Sequence, residues 1–360
     1  MRTLISIALI IHGCIHLLGF LKGFNLARIE TIKSGISPIL GLFWFGAFAA
    51  FVIAGIAYLF EGGVWRLFAA SGAVISMVAT AYAWNDAKFG MMLNLIFLIM
   101  AAASFSTHRF QRKVEAEKKE ILSQALPATG VVSETAIQEL PQPVQKWLRR
   151  SGIVGRPPIR SVRMKQKVLM KMNPGEKDWR LAEAEQLTVP DKPAFIWNVR
   201  LELNPFIQVV GRDRFVNGQG AMLIKLNSLI NAVNAKGDKI DEGSAQRFLG
   251  EMVWYPSFAV SPYVTWEAID GSSASATLTV GDVACSGVFH FNEDGDVVKF
   301  SAMRYKDNRP GAGRYEWIVE TIEYAAVDGL KIPSKLKATW KLPEGDWTWL
   351  NLEVINMQFK

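Results

Sequence analysis

Cysteine is almost absent: Cys14 and Cys285 are the whole supply. One falls in an apolar helical run and the other in a strand-patterned stretch, which excludes a disulfide framework and a thiolate-built zinc site. Histidine is nearly as scarce, with four in the chain. His290 stands alone in the strand-patterned part, so a Ser–His–Asp triad or a histidine metal site there would rest on it alone. It reads as a strand histidine with a local hydrogen bond. There is no P-loop, no glycine-rich dinucleotide turn after a strand and no nucleophile elbow. The residues therefore call for no metal and no cofactor. A basic stripe is missing too. The net charge of +7 is dispersed, and the densest run interleaves Arg112, Lys113, Lys118 and Lys119 with Glu115, Glu117 and Glu120. That alternation fits a solvated helix beside a membrane, and nucleic acid is not an expected partner.

Charge itself is missing from four long runs: Thr3 to Leu21, Ser34 to Phe60, Leu67 to Asn85, and Phe89 to Thr107. At about 1.5 Å per residue each can cross a hydrocarbon core about 30 Å thick. Arg2, Lys22, Lys33, Glu61, Arg66, Asp86 and Lys88 stand at their ends, with Trp65 and Trp84 at the expected interfaces. The first run lacks a small-residue cleavage site and continues into Gly-Phe-Leu-Lys-Gly-Phe, so it reads as a retained span. Residues 1–107 are thus expected to form a four-helix transmembrane domain, multi-pass in the inner (cytoplasmic) membrane, with membrane lipids as its surroundings. With four spans, Arg2, Arg66, Arg109, Arg112, Lys113, Lys118 and Lys119 share one side, against Lys22, Arg28, Lys33 and Lys88. The bias favours a cytoplasmic soluble domain. His12 and His16 are the conspicuous polar residues of the first span, one helical turn apart on one face. Two ligands are too few for a metal, and one helix cannot supply both axial ligands of a haem. An interhelical hydrogen bond is the expected role, with Gly13 and Gly19 allowing close approach; a functional role stands beside it.

The rest of the chain is charged and changes period. Residues 108–139 read as a helical linker, with an amphipathic stretch from Phe110 to Leu126, a hinge at Pro127, Ala128, Thr129 and Gly130, and a new helical start at Ser133. From Ile159 the period becomes 2, the mark of strands. Expected strands are Ile159–Met172, Trp179–Val189, Ala194–Leu203, Ile207–Val216 and Gly220–Leu226, separated by turns such as Asn204-Pro205 and Asn217-Gly218. A helical interlude follows, Leu226–Val233 and Asp241–Trp254. Strands resume at Val264–Ile269, Ser275–Val280, Val283–Phe291, Val297–Tyr305, Arg314–Ala325, Lys331–Lys341 and Trp347–Phe359. No βαβ alternation appears, so the sheet should be antiparallel. The fold class is a membrane α-helical bundle followed by an antiparallel β-rich α+β domain over residues 140–360. So many strands must curl into a half-barrel, with the apolar insert as plug or lid.

Four stretches carry a resemblance: Pro141–Gly155, Gly211–Gly220, Gln246–Pro256 and Ile332-Pro333 through Trp340. They resemble a bacterial family known only as a domain of unknown function, most specifically at Trp254-Tyr255-Pro256, over about residue 140 to the C-terminus. That family implies no activity. The strand–helix–strand layout is also similar to the bacterial lipoprotein carriers, half-open barrels that hold acyl chains under helices. The best polar candidates are Arg212, Asp213, Arg214, Arg247 and Glu251, with Phe248 and Trp254 as apolar neighbours on the insert. They fit either an ion pair tying the insert to the sheet or contacts to a ligand headgroup. Most of Trp179, Trp197, Trp254, Trp266, Trp317, Trp340, Trp347 and Trp349 should pack the sheet, and a subset would line a pocket. The leading function is a membrane-tethered module binding a lipid or other apolar small molecule. The alternatives are a membrane-anchored enzyme using buried carboxylates such as Asp213 and Glu251, and a sensory or scaffolding protein.

Overall fold

The computed structural model describes residues 2–127, 129–204 and 207–360. Its contacts divide the chain into two compact units, Met1–Phe110 with Asn227–Leu229, and Gln111–Leu226 with Ile230–Lys360. The first is helical: α1 (Arg2–Ile15), α2 (Leu17–Gly23), α3 (Pro38–Leu59), α4 (Trp65–Tyr82), α5 (Trp84–Ala87) and the start of α6 (Gly90–Ser123). Three stretches, Arg2–Gly23, Pro38–Leu59 and Gly90–Ser123, are long and apolar enough to cross a membrane. The expected third span forms α4. Arg66, Ser71, Gly72, Ser76 and Thr80 make it less apolar than those three.

The first apolar stretch breaks between α1 and α2 for a local reason. The His16 ring takes up the His12 carbonyl through Nδ1 at 2.8 Å, and the His16 backbone N–H turns to the Gly13 carbonyl at 2.9 Å. A side chain competing for a helical carbonyl tightens the turn. Gly19 lies flat against the Trp44 ring, so α2 and α3 approach as the small residue allows.

In the second unit, the end of α6 precedes α7 (Glu134–Ile137), capped by Ser133, and α8 (Gln142–Ser151). Ala128 of the expected hinge lies outside the described residues. Thirteen strands follow: β1 (Val162–Met170), β2 (Arg180–Val189), β3 (Ala194–Asn204), β4 (Ile207–Val216), β5 (Gln219–Leu226), β6 (Ile230–Ala235), β7 (Val264–Asp270), β8 (Ser273–Val280), β9 (Val283–Phe291), β10 (Val297–Tyr305), β11 (Arg314–Val327), β12 (Leu330–Leu342) and β13 (Gly345–Phe359). Between β6 and β7 come α9 (Asp238–Gly250) and two 3₁₀ turns, Glu251–Trp254 and Pro256–Val260. The strands form one antiparallel sheet in the order β6-β5-β4-β3-β2-β1-β13-β12-β11-β10-β9-β8-β7. The first and last strands are central neighbours, with Val162 opposite Phe359.

This order forces the curl. The chain leaves one edge at β6 and resumes at the other edge with β7. A flat sheet of thirteen strands, at about 4.8 Å spacing, would be roughly 58 Å wide, while α9 is about 20 Å long. The wings must come together for the crossing, and α9 indeed packs on β4 and β5 of one wing and on β8, β9 and β10 of the other. The sheet is a half-barrel with α9 in its concavity.

Two turns set the register. Asn217 (φ 52°) and Gly218 (φ 78°) link β4 to β5, pairing Val216 with Gln219 as the Asn-Gly dipeptide demands. The expected helix over Leu226–Val233 is a hairpin instead. Asn227 (φ 46°) and Ser228 (φ 57°) take the left-handed conformation, which stops a helix, and Ile230 pairs with Leu226 to begin β6. Pro205, in the expected Asn204-Pro205 turn, lies outside the described residues. His290 is a half-buried strand residue of β9, opposite Ser273 and Lys299.

Candidate functional site

Alternation along β4 sorts the Gly-Arg-Asp-Arg run to two faces. Arg212 and Arg214 point outward, where Glu117 and Glu120 from the end of α6 pair with them at 3.1 and 3.0 Å. Lys118 adds a 2.8 Å bridge to Glu185 on the same outer face. Val209, Gly211 and Asp213 point inward and line a cavity of about 370 Å³ beneath α9.

The insert helix carries two inward stripes. Ala245, Phe248, Leu249 and, just beyond, Met252 are fully buried and fill part of the concavity. Phe248 stacks among Phe215, Tyr255 and Phe258, with ring centres 5.1–6.0 Å away. Ile240, Gly243, Ser244, Arg247, Gly250 and Glu251 form the second stripe, at helical spacing, and face the cavity. Of the candidates named from sequence, Asp213, Arg247, Glu251 and Trp254 meet at the cavity. Arg212 belongs to the outer face and Phe248 to the core, so an aspartate at 248 would unfold the domain rather than probe a ligand.

Arg247 is the hub. Its Nε donates to Glu251 at 2.7 Å, and its terminal nitrogens donate to Asp213 at 3.0 Å and Gln186 at 3.1 Å. Gln186 closes the ring by donating to Glu251 at 2.6 Å. The guanidinium also lies over the rings of Phe195 and Trp197, 4.9 and 4.8 Å from their centres. Burial pushes the Asp213 carboxyl up, against the pull of Arg247, Arg304 and Arg212. Burial likewise holds the Tyr255 phenol well above its ordinary range; its hydroxyl donates to the Phe248 carbonyl. Each of the three Arg247 nitrogens has a protein partner.

Arg304 is held differently, and sequence reasoning missed it. It stands on the inward face of β10, in phase with Phe300 and Ala302, and its guanidinium lies 4.5 Å over Trp317 and 5.9 Å from Trp340. Gly243 makes room for it: a Cβ there would sit 3.2 Å from the Arg304 Nε. That Nε is buried without a hydrogen-bond partner, as are the indole N–H groups of Trp317, Trp347 and Trp349. All four residues line the cavity. Burial, then the nearby Arg247, lowers Arg304 to about 10, so it remains a cation at neutral pH. Most of the remaining wall is apolar, with Met170, Leu201, Met222, Ile224, Val319 and Leu352 among others, and Lys239, Lys306, Asp307 and Lys337 also line it. Trp179 and Trp266 stand elsewhere, the first under Lys171 and the second against Phe289.

His12 and His16 form a separate, buried polar chain within the helical unit. His12 Nε2 meets Asn94 Oδ1 at 2.8 Å, Asn94 Nδ2 donates to Ser76 Oγ at 2.7 Å, and Ser76 meets His16 Nε2 at 2.6 Å. The His12 carbonyl can only accept, so His16 Nδ1 donates to it, and Ser76 donates to Nε2 of the neutral ring. Asn94 then accepts from His12. Every donor finds an acceptor, and α1, α4 and α6 are tied together by the interhelical bonds expected of this pair. Among the described residues no cluster of three or more His, Cys, Asp or Glu could hold a metal.

A curled antiparallel sheet with a helix in its concavity and an apolar cavity beneath that helix defines a β half-barrel protein. The chain belongs to a family of unknown function, DUF6544, which matches residues 130–352. No curated protein matches it. Among solved structures, a LolA superfamily protein from Nitrosomonas europaea is similar at 11% identity and a TM-score of 0.35, over 61% of this chain and 92% of that one. A likeness of that degree has no bearing on ligand or role.

Proposed function

We propose that the protein is a membrane-tethered module whose half-barrel binds a lipid or other apolar small molecule. The observation that carries this is the unfilled cavity of about 370 Å³. Protein interiors are close-packed, and an apolar void of ligand size, within the roughly 300–1,000 Å³ of small-molecule sites, is unusual in a core that serves stability alone. Six tryptophans around it offer broad apolar contact. The enzyme reading loses ground at the same place. Asp213 and Glu251 do meet, but both are held by Arg247, which leaves neither as a free base. The test is extraction and native mass spectrometry of the fragment Gln111–Lys360, cut where the contacts divide. It should fold with a strand-dominated circular-dichroism spectrum and carry an apolar molecule or accept one. A folded fragment that takes up no apolar molecule sinks the reading.

The helical unit is the tether in this proposal, with α4 as a fourth span and the half-barrel in the cytoplasm. The support is the balance of seven basic residues against four on alternate loops. An alkaline-phosphatase fusion after Lys119 should be inactive and a fluorescent-protein fusion bright. The reverse pair of signals places the half-barrel outside.

A further inference from the structure

Resting on that reading, we infer that the cavity's ligand is a single-chain amphiphile with one carboxylate head, and that Arg304 holds the head. The unpartnered polar groups of the residues that line the cavity decide this. Arg304 Nε, Trp317 Nε1, Trp347 Nε1 and Trp349 Nε1 are buried and unpartnered, and all four are donors. Among the described residues no lining acceptor reaches them. A carboxylate accepts and never donates when ionised, so it satisfies such a set, whereas a hydroxyl or an amide brings donors of its own. The pairing of the lining charges points the same way, Asp307 being taken by Arg309. Arg247 is matched by Asp213 and Glu251, Lys337 by Glu320, and Lys239 donates to the Arg309 carbonyl. Lys306 lies over the Trp347 ring and is exposed at the rim. Among the described lining cations Arg304, whose Nε is buried, has no carboxylate in contact. Its two carboxylate neighbours at longer range, Asp213 and Glu251, already share Arg247. A phosphate monoester carries about two negative charges at neutral pH, against the single guanidinium here that has no carboxylate in contact. A volume near the low end of ligand sites fits one chain and excludes lipids with several.

Full-length protein in maltoside micelles, captured on scintillation beads, tests this with radiolabelled dodecanoate and radiolabelled dodecanol. Wild type should bind both and dodecanoate about tenfold more tightly, as befits a charge-assisted, hydrogen-bonded head. Unlabelled dodecyl phosphate should compete more weakly than dodecanoate. Arg304→Gln should bring dodecanoate and dodecanol within about twofold of one another, while Arg304→Lys keeps part of the margin and Lys306→Gln keeps all of it. Equal binding of acid and alcohol by wild type overturns the carboxylate head and leaves the apolar cavity standing. Binding of neither overturns both. A preference removed by Lys306→Gln but kept by Arg304→Gln moves the head to the rim and overturns the role of Arg304. Stronger competition by the phosphate overturns the singly charged head. The wild-type comparison and Arg304→Lys stand even where Arg304→Gln misfolds.

Discussion

Arg247→Met should destabilise the half-barrel by about 3 kcal/mol at pH 7, the usual order for breaking a buried ion pair from one side. The methionine would keep most of the apolar stem but leave Asp213, Glu251 and Gln186 facing one another without their shared donor. The three charged groups are mostly shielded, with side-chain exposures of 16%, 22% and 14% for Arg247, Asp213 and Glu251, so solvent does little to soften the loss. The variant should also acquire a characteristic pH dependence. Burial already pushes Asp213 above its ordinary value of 3.8, and Arg247 is the first influence opposing that. Without it the folded-state value rises further. An acid whose folded value lies above its unfolded one favours the folded state when protonated, so stability is present below 3.8 and is lost as pH rises through the raised value. The deficit of Arg247→Met relative to wild type should therefore shrink as the medium is acidified. Urea unfolding of the fragment at pH 7 and at mildly acidic pH measures it. A deficit that is small, or that grows on acidification, would show that the ring of bonds around Arg247 is not what fastens α9 to the sheet.

The strands were legible because alternation is a strong local signal. Most expected strand ends fall within a few residues of those observed, and Asn217-Gly218 and Asp328-Gly329 mark hairpins where both residues take positive φ. The bundle was legible from the missing charges. β6 was not, because Asn227 and Ser228 turn the chain without glycine or proline to announce it, and Ile230–Val233 is too short to show a period. The site was half legible. Asp213, Arg247, Glu251 and Trp254 come together, but Arg212 sits one residue from Asp213 and so on the opposite face. Alternation along β4 puts neighbours on opposite faces, so the Gly-Arg-Asp-Arg run cannot act as one cluster. The same period held the clue to Arg304. Phe300, Ala302 and Arg304 are in phase on β10, as are Ala182, Ala184 and Gln186 on β2. A charged or amide residue in phase with the buried positions of a strand is turned to the inside: Gln186 joins the bonds around Arg247, and Arg304 lines the cavity. What no sequence pattern could supply is the emptiness of the space itself. That depends on Gly243, Ser244 and Gly250 of α9 all facing the same way as the tryptophans of β11, β12 and β13.

Filling that space should abolish binding of every apolar probe, whatever its head. Val319 on β11 and Leu350 on β13 both line the cavity and are half-buried, so a tryptophan at each can occupy the void without entering the packed layer around Phe248. If the two indoles displace roughly four methylenes of ligand, at about 0.8 kcal/mol each, binding weakens by about 3 kcal/mol, or roughly a hundredfold. Stability should change far less, because the added atoms enter a void and not a close-packed interior. Leu181→Trp serves as control: it adds the same bulk on the exposed outer face of β2, where Leu181 is 54% exposed, and should bind as wild type does. The readout is a fluorophore-labelled dodecanoate titrated into the fragment Gln111–Lys360, with thermal unfolding run in parallel. Val319→Trp/Leu350→Trp should lose the fluorescence change while melting within a few degrees of wild type. Unaltered binding by a folded double variant would place the ligand elsewhere on the sheet. The cavity beneath α9 would then be a packing defect, and the scaffolding role would become the better reading of this protein.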